Sequence, residues 1–259
     1  MIQLHHGDCL EVMKSIPDKS IDMVLTDPPY GTTACKWDNV IPFEPMWEQL
    51  KRITKDNSAI CLFGSEPFSS HLRLSNLKMF KCDWVWSKSN PSGIACAKIQ
   101  PLKYHEIISV FYNKNKYFPQ KIKRTSERIG QAHKTNYFFR TFHGSMNDQV
   151  KCKNNIGKHS SEYCSKTKMP SSVLNFNSLR ANSKEWNKHP TQKPVALLEY
   201  LIKTYTLENE TVLDFTMGSG STGVACKNLN RSFIGIEKDE KYFNIAKERI
   251  ENHVPSLLF

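Results

Sequence analysis

Apolar positions along this chain follow two spacings. Short continuous apolar-rich runs alternate with stretches in which apolar residues recur every three or four positions. Ile21–Leu25 is the clearest run, the pattern of a parallel strand buried on both faces. It stops at Thr26-Asp27-Pro28-Pro29, because proline gives no N–H to a ladder. Ser58–Phe63, Asp83–Trp86 and Ile107–Tyr112 are predicted as further strands, with helices over Pro45–Thr54 and Pro67–Leu77 between them. From Lys193 the alternation returns. A helix is predicted over Pro194–Thr206, with proline in its first turn, and a strand over Thr211–Phe215. A glycine-rich turn follows, then a helix over Ser221–Leu229 and a strand over Ser232–Ile236. Asp239 is predicted to cap a last helix that runs to about Asn252. Strands alternating with helices imply an α/β fold: a mostly parallel sheet with helices on both faces.

The pattern is lost between residues 114 and 188. This stretch is rich in Lys, Asn, Ser and His, with Tyr117, Phe118, Tyr137, Phe138, Phe139, Phe142, Tyr163 and Phe176 interleaved. So many aromatics point to an inserted lobe or long loops with a small core, not to a solvated linker. The chain of 259 residues, 39% hydrophobic, is long enough for one sizeable core around that insertion.

Charge sharpens the division. The formal net charge is +11. Lys114–Lys193 holds 17 Lys and Arg against four acids, whereas the rest of the chain holds 19 against 21. The whole basic excess therefore lies in one segment, the footprint of a polyanionic partner. The Lys and Arg residues within 121–140 are the group most expected to meet phosphates, and one or two of the aromatics between them could stack on bases. Eight scattered cysteines without a CxxC pair point to reduced thiols in the cytoplasm. No apolar stretch is long enough to span a membrane, and the first residues lack the basic and apolar regions of a secretory signal.

Two motifs carry the chemistry. The first is Asp214-Phe215-Thr216-Met217-Gly218-Ser219-Gly220-Ser221-Thr222-Gly223, a strand running through glycines into a helix. Glycines admit close approach of a ligand, and the helix start offers free N–H groups. Glu237 follows about 20 residues later, after the next strand, where an acid commonly accepts ribose hydroxyls. This is the setting of a nucleoside-bearing cofactor, which the turn alone leaves open between NAD and S-adenosylmethionine. The second motif is Asp27-Pro28-Pro29-Tyr30-Gly31, directly after a buried strand. The Asp27 carboxylate and the Pro28 carbonyl can each accept a hydrogen bond from a planar NH2 group, and Tyr30 can stack on the attached base. The prolines limit the entropy lost in holding a substrate. Two acceptors on such an amino group favour the pyramidal nitrogen of a transition state in which it acts as nucleophile.

Together these motifs resemble those of the amino-methylating DNA methyltransferases. His189-Pro190-Thr191-Gln192-Lys193-Pro194 resembles the segment that precedes the cofactor motif in that family, and Gly7-Asp8-Cys9 the element lining the adenine end of the cofactor. Trp86-Ser87-Lys88 and His105-Glu106-Ile107-Ile108 resemble its later catalytic strands. The order, catalytic motif first and cofactor motif last, resembles the circularly permuted β class. The resemblance implies a Rossmann-like methyltransferase fold with a catalytic half at 1–113, a target-recognition region at 114–187 and a cofactor-binding half at 188–259. It implies that Asp27, Pro28, Pro29 and Tyr30 hold a flipped base. Asp27, Asp214, Phe215, Gly218, Ser219, Gly220 and Thr222 would surround S-adenosylmethionine, with Ser219, Thr222 and Lys193 near its carboxylate. Glu237 would bind the ribose, and Asp8 and Cys9 would meet the adenine. The activity it implies is methylation of adenine N6 in double-stranded DNA, with cytosine N4 as the alternative and a homodimer as the expected assembly. An RNA substrate is a further possibility. A catalytically silent DNA-binding subunit would be expected to have lost Asp27 or the glycine turn, and both are intact.

No metal is expected. Cys152, His159, Cys164 and His143 match no tight ligand spacing. Cys35 and Cys226 are expected to pack and not to act as nucleophiles, because amino methylation needs none. The Pro-Cys motif of C5-cytosine methylation is absent.

Overall fold

All the predicted strands lie in one sheet of eight strands among the described residues. The computed structural model describes residues 1–33, 38–114, 116–130, 163–179, 183, 185 and 191–255. The chain forms two compact units, one of Met1–Phe118 with Ser171–Phe259, the other of Pro119–Pro170.

The larger unit begins with β1 (Ile2–His6) and α1 (Cys9–Met13), followed by β2 (Ile21–Thr26), α2 (Phe43–Ile53), β3 (Thr54–Gly64) and α3 (Phe68–Ser75). Then come β4 (Phe80–Ser92) and β5 (Lys103–Phe111). The smaller unit holds β6 (Ile122–Gly130) and β7 (Tyr163–Lys168), an antiparallel pair. The chain returns to the larger unit with β8 (Val173–Asn175), α4 (Val195–Tyr205), β9 (Thr211–Asp214), α5 (Ser221–Asn228), β10 (Ser232–Glu237) and α6 (Glu240–Asn252).

The strand order is β1-β10-β9-β2-β3-β5-β4-β8. Every neighbouring pair is parallel except those made by β5, which runs antiparallel to both β3 and β4. The link from β4 to β5 explains this. Residues 93–102 carry one short 3-10 turn and no helix. A parallel return needs a crossover of about a dozen residues or more, so a link this short turns the chain straight back.

The continuous apolar runs reflect burial on both faces. In β2, Met23 and Leu25 join the core under α4, α5 and α6, and Val24 the core under α1, α2 and α3. Ala59, Cys61 and Phe63 of β3 alternate in the same way with Ile60 and Leu62. At about 25 cal/mol per Å2 of apolar surface removed from water, these two layers are the main stabilising term.

Several elements differ from expectation. β1 and α1 are too short and too exposed to leave a periodic signal. β8 has three residues, yet it adds to the sheet edge beside β4. The inserted unit is also narrower than 114–187. Phe118 N donates to Thr204 O at 2.8 Å, and the chain is back in the larger unit by Ser171. Tyr137, Phe138, Phe139, Phe142, His143, Cys152, His159, Cys35, His189 and Pro190 lie outside the described residues. No helix among the described residues is long and apolar enough to cross a membrane.

Candidate active site

The two chemical motifs meet because β2 and β9 are parallel neighbours, Met23 opposite Val212 and Val24 opposite Leu213. Their following loops therefore leave the sheet side by side at its carboxyl end, where open α/β sheets bind ligands.

The loop after β2 is held by a residue that local pattern does not reveal. The backbone N–H groups of Tyr30, Gly31, Thr32 and Thr33 all donate to the Asp38 carboxylate, at 2.6–2.9 Å. Burial pushes this carboxyl up. The hydrogen bonds from Thr33 and from the loop backbone outweigh burial and hold it below the ordinary aspartate range. Asp38→Ala is expected to loosen the loop and to slow single-turnover methyl transfer about 100-fold, with cofactor affinity unchanged. An unaltered rate would show that the two prolines alone keep the loop rigid.

Asp27 sits at the start of that loop. Its Oδ1 accepts the Tyr30 hydroxyl and its Oδ2 the Lys193 ammonium. Lys193 also pairs with Glu106 Oε2 at 3.3 Å, and Glu106 Oε1 pairs with Lys88 at 3.1 Å. Burial raises the Asp27 carboxyl and Glu106 adds to the rise, while Lys193 and Tyr30 pull against it. Burial also opposes the Lys193 charge, but Asp27 and Glu106 outweigh it and hold the ammonium above the ordinary lysine value. The Tyr30 ring stacks on Phe68 with centroids 5.1 Å apart. Phe68 thus fixes the plane of the Tyr30 ring at the cavity wall.

Asp214 ends β9 and ties the two motifs together. Its Oδ1 accepts Thr26 Oγ1 at 2.6 Å and Thr216 N at 3.2 Å, and its Oδ2 accepts Thr222 Oγ1 at 2.6 Å. Burial still pushes this carboxyl up to about 6. Glu237, at the end of β10, accepts Gly218 N and Asp239 N, each at 2.8 Å. Each Glu237 oxygen keeps a second lone pair for a ligand. Gly7 N donates to Glu237 O at 2.9 Å, which brings Asp8 beside Glu237. Asp8 caps α1 through Leu10 N at 3.0 Å and reaches Lys238 at 3.1 Å.

One cavity of about 570 Å3 is lined by Asp27, Pro28, Pro29, Tyr30 and Lys193 together with Asp8, Cys9, Asp214, Phe215, Gly218, Ser219, Thr222 and Glu237. Gly220 is the exception among the residues read from the sequence, and it is not in the wall. It has φ +78, and a Cβ there would lie 2.9 Å from Ile250 Cδ1 and 3.2 Å from Ala246 Cα. Its lack of a side chain lets α6 pack against the start of α5. The Thr222 hydroxyl is given to Asp214, and Cys226 is buried in the core. Sequence reading missed Asp38, Thr26 and Phe68, and it took Glu106 and Lys88 only as parts of strand motifs. Thr26 adjoins the loop but shows its role only when Asp214 docks on it, and Phe68, Glu106 and Lys88 reach the loop only in the folded chain.

The cavity suits a nucleoside joined to a charged chain. The Asp8 and Glu237 carboxylates can accept hydroxyl and amine hydrogens, and Phe215 and Leu10 supply apolar wall. No cluster of metal-binding side chains occurs among the described residues.

Comparison with known proteins agrees with this chemistry. Residues 21–248 match the sequence profile of the N6/N4 DNA methylase family. The type II methyltransferase M.HpaI of Haemophilus parainfluenzae is 28% identical over 259 residues, covering 95% of this chain and 73% of that protein. The DNA adenine methyltransferase YhdJ of Escherichia coli (strain K12) is 28% identical over 258 residues, covering 95% and 81%. The crystal structure of an M1.HpyAVI–SAM complex superposes with a TM-score of 0.63 at 27% identity, covering 96% of this chain and 99% of that one. The cytosine-N4-specific PvuII DNA methyltransferase shares the fold, with a TM-score of 0.65 at 16% identity, covering 98% of this chain and 88% of that one.

Proposed function

This chain belongs to the N6/N4 DNA methylase family, and on that basis we propose that it transfers the methyl group of S-adenosylmethionine to N6 of an adenine flipped out of duplex DNA. The reading rests above all on the Asp27 carboxylate, which shares one cavity with the glycine turn and Glu237. S-adenosylmethionine supplies a methyl group on a positively charged sulfur. Glu237 would hold its ribose, Asp8 and Cys9 its adenine, and the turn at Gly218 and Ser219 its amino-acid end.

Asp27 and the Pro28 carbonyl would accept the two amino hydrogens of the base, and Tyr30, backed by Phe68, would stack on its ring. The base must leave the duplex, because a stacked amino group cannot enter a cavity in the protein. As the nitrogen gains its bond to the methyl carbon, the carbon–sulfur bond would break to leave neutral S-adenosylhomocysteine, and the nitrogen would give up one proton to the ionised Asp27 carboxylate. Transfer therefore requires Asp27 without its proton. Burial raises its pKa, so the rate should fall with decreasing pH at values above the ordinary carboxylate range of about 4. A single-turnover pH profile flat down to pH 4 would remove Asp27 from that role.

Adenine is favoured over cytosine because YhdJ, similar along 95% of this chain, is named an adenine methyltransferase. Asp27 at the head of the loop supports the same choice. DNA exposed to the protein and cofactor, then digested to nucleosides and weighed, should contain 6-methyladenine. 4-Methylcytosine alone would overturn the choice of base. No label transfer at all would point to a silent DNA-binding subunit. The Lys and Arg residues within 121–140 are assigned to the phosphates, and the reading includes a homodimer of the 29.9 kDa chain. Sedimentation with and without DNA reads the assembly. The free thiols of Cys9, Cys61, Cys82, Cys96 and Cys226 accord with a cytoplasmic location.

A further inference from the structure

Two charged side chains behind the cavity wall are not used by the proposed reaction. Neither Glu106, on β5, nor Lys88, on β4, lines the cavity. Both are largely buried, with 18% and 8% of their side chains exposed. They join Lys193 and Asp27 in one line of alternating charge: Lys88 to Glu106 at 3.1 Å, Glu106 to Lys193 at 3.3 Å, and Lys193 to Asp27. Buried charges are costly, and four in a row that sum to zero at the edge of a cavity need a reason.

We infer that Lys88 and Glu106 are positioning residues that act through Lys193 to set the charge and aim of the Asp27 carboxylate. Glu106 and Asp27 compete for one ammonium. Lys88 decides the contest by giving Glu106 a second partner, which leaves Lys193 free to face Asp27. The pattern of acidity fits this division. Burial raises both carboxyls, but Lys193 and Lys88 together bring Glu106 below its ordinary range, whereas Asp27 stays above its own. The other titratable groups facing Asp27 are Tyr30 on its own loop and Asp214 at the end of β9. Asp214 is held by Thr26, Thr216 and Thr222, and Tyr30, whose hydroxyl bonds to Asp27, also senses the Glu106 charge, so a change at Lys88 or Glu106 reaches Asp27 through Lys193 and through the charge of Glu106.

This inference rests on the proposed role of Asp27, and its test separates the two. Glu106→Gln removes the competing charge, so Lys193 pairs with Asp27 alone and the Asp27 pKa should fall by about one unit. Lys88→Met leaves Glu106 with Lys193 as its sole partner, so the Asp27 pKa should rise by about one unit. The double variant should match Glu106→Gln, because Lys88 has nothing to act on once Glu106 is neutral. It also carries no uncompensated charge, so it remains informative if Lys88→Met fails to fold. Carbon-13 NMR titration of the Asp27 side-chain carboxyl in the full protein without DNA gives these values independently of activity. The acid limb of single-turnover transfer should move with them, while cofactor affinity stays within about twofold of wild type. Shifts of the same sign in both single variants, no shift in Glu106→Gln, or a double variant unlike Glu106→Gln would overturn the relay. If the NMR shifts appear and the activity limb does not follow, the relay stands and the role of Asp27 in transfer fails.

Discussion

Asp27→Ala is expected to abolish methyl transfer, slowing it by about a thousandfold or more, while cofactor binding survives. An acceptor aimed at the reacting group and made effective only in the transition state contributes about 100- to 1,000-fold. Asp27 would do more than accept one hydrogen bond. It would also take the proton that leaves the nitrogen, and it orients the Tyr30 hydroxyl and the Lys193 ammonium. Truncation releases both partners. Lys193 keeps Glu106 at 3.3 Å, so the ammonium is not stranded and the fold should hold. The hydrogen bonds that hold Asp8 and Glu237 do not involve Asp27, so cofactor affinity should change by no more than a few-fold. Asp27→Asn retains one acceptor and loses the charge, and should fall between the two. Single-turnover incorporation of labelled methyl, beside calorimetric titration of the cofactor, reads both quantities. A near-normal rate in Asp27→Ala would remove the acceptor from the mechanism.

The second large effect falls on stability. Gly220→Ala should destabilise the protein by about 3 kcal/mol. The left-handed backbone at φ +78 costs a side-chain-bearing residue about 1–2 kcal/mol. The added methyl also meets Ile250 Cδ1 at 2.9 Å and the Ala246 backbone at 3.2 Å, and overpacking of this kind costs about 1–3 kcal/mol. For a chain of this size the melting temperature should fall by about 6–12 °C. Ser219→Ala, one position earlier and in the cavity wall, should do the reverse, weakening cofactor binding with little change in melting temperature. If Gly220→Ala melted like wild type and lost only cofactor, the glycine would be a ligand contact after all.

Much of the fold and part of the site could be read from local pattern, for identifiable reasons. A strand buried on both faces must be apolar throughout, so β2 and β3 announced themselves, and proline ended β2 where the structure ends it, at Thr26. The Asp239 cap needed only local chemistry, and its carboxylate accepts Tyr242 N at 3.1 Å. The Asp27-Pro28-Pro29-Tyr30 loop and the glycine turn are contiguous stretches, so the kind of chemistry could be inferred from them directly. Periodicity could not find β8 or α1, which are too short to repeat. It also could not give the direction of β5, which a short connection set.

Residue types and their near neighbours along the chain were thus enough for the class of fold, the two motifs and the basic insertion. Folding alone decided which distant residues face one another. Asp214 bonds to Thr26 across 188 positions, and Lys193 reaches Asp27 across 166. Propensity and periodicity act over a few residues, whereas the acidity of Asp27 depends on charges brought to it by β5 and the segment before α4. For the same reason the linear motif, which offers Gly220 as a cofactor glycine, does not reveal the packing of α5 on α6 that Gly220 also serves. Only the docked helix shows what a side chain there would strike.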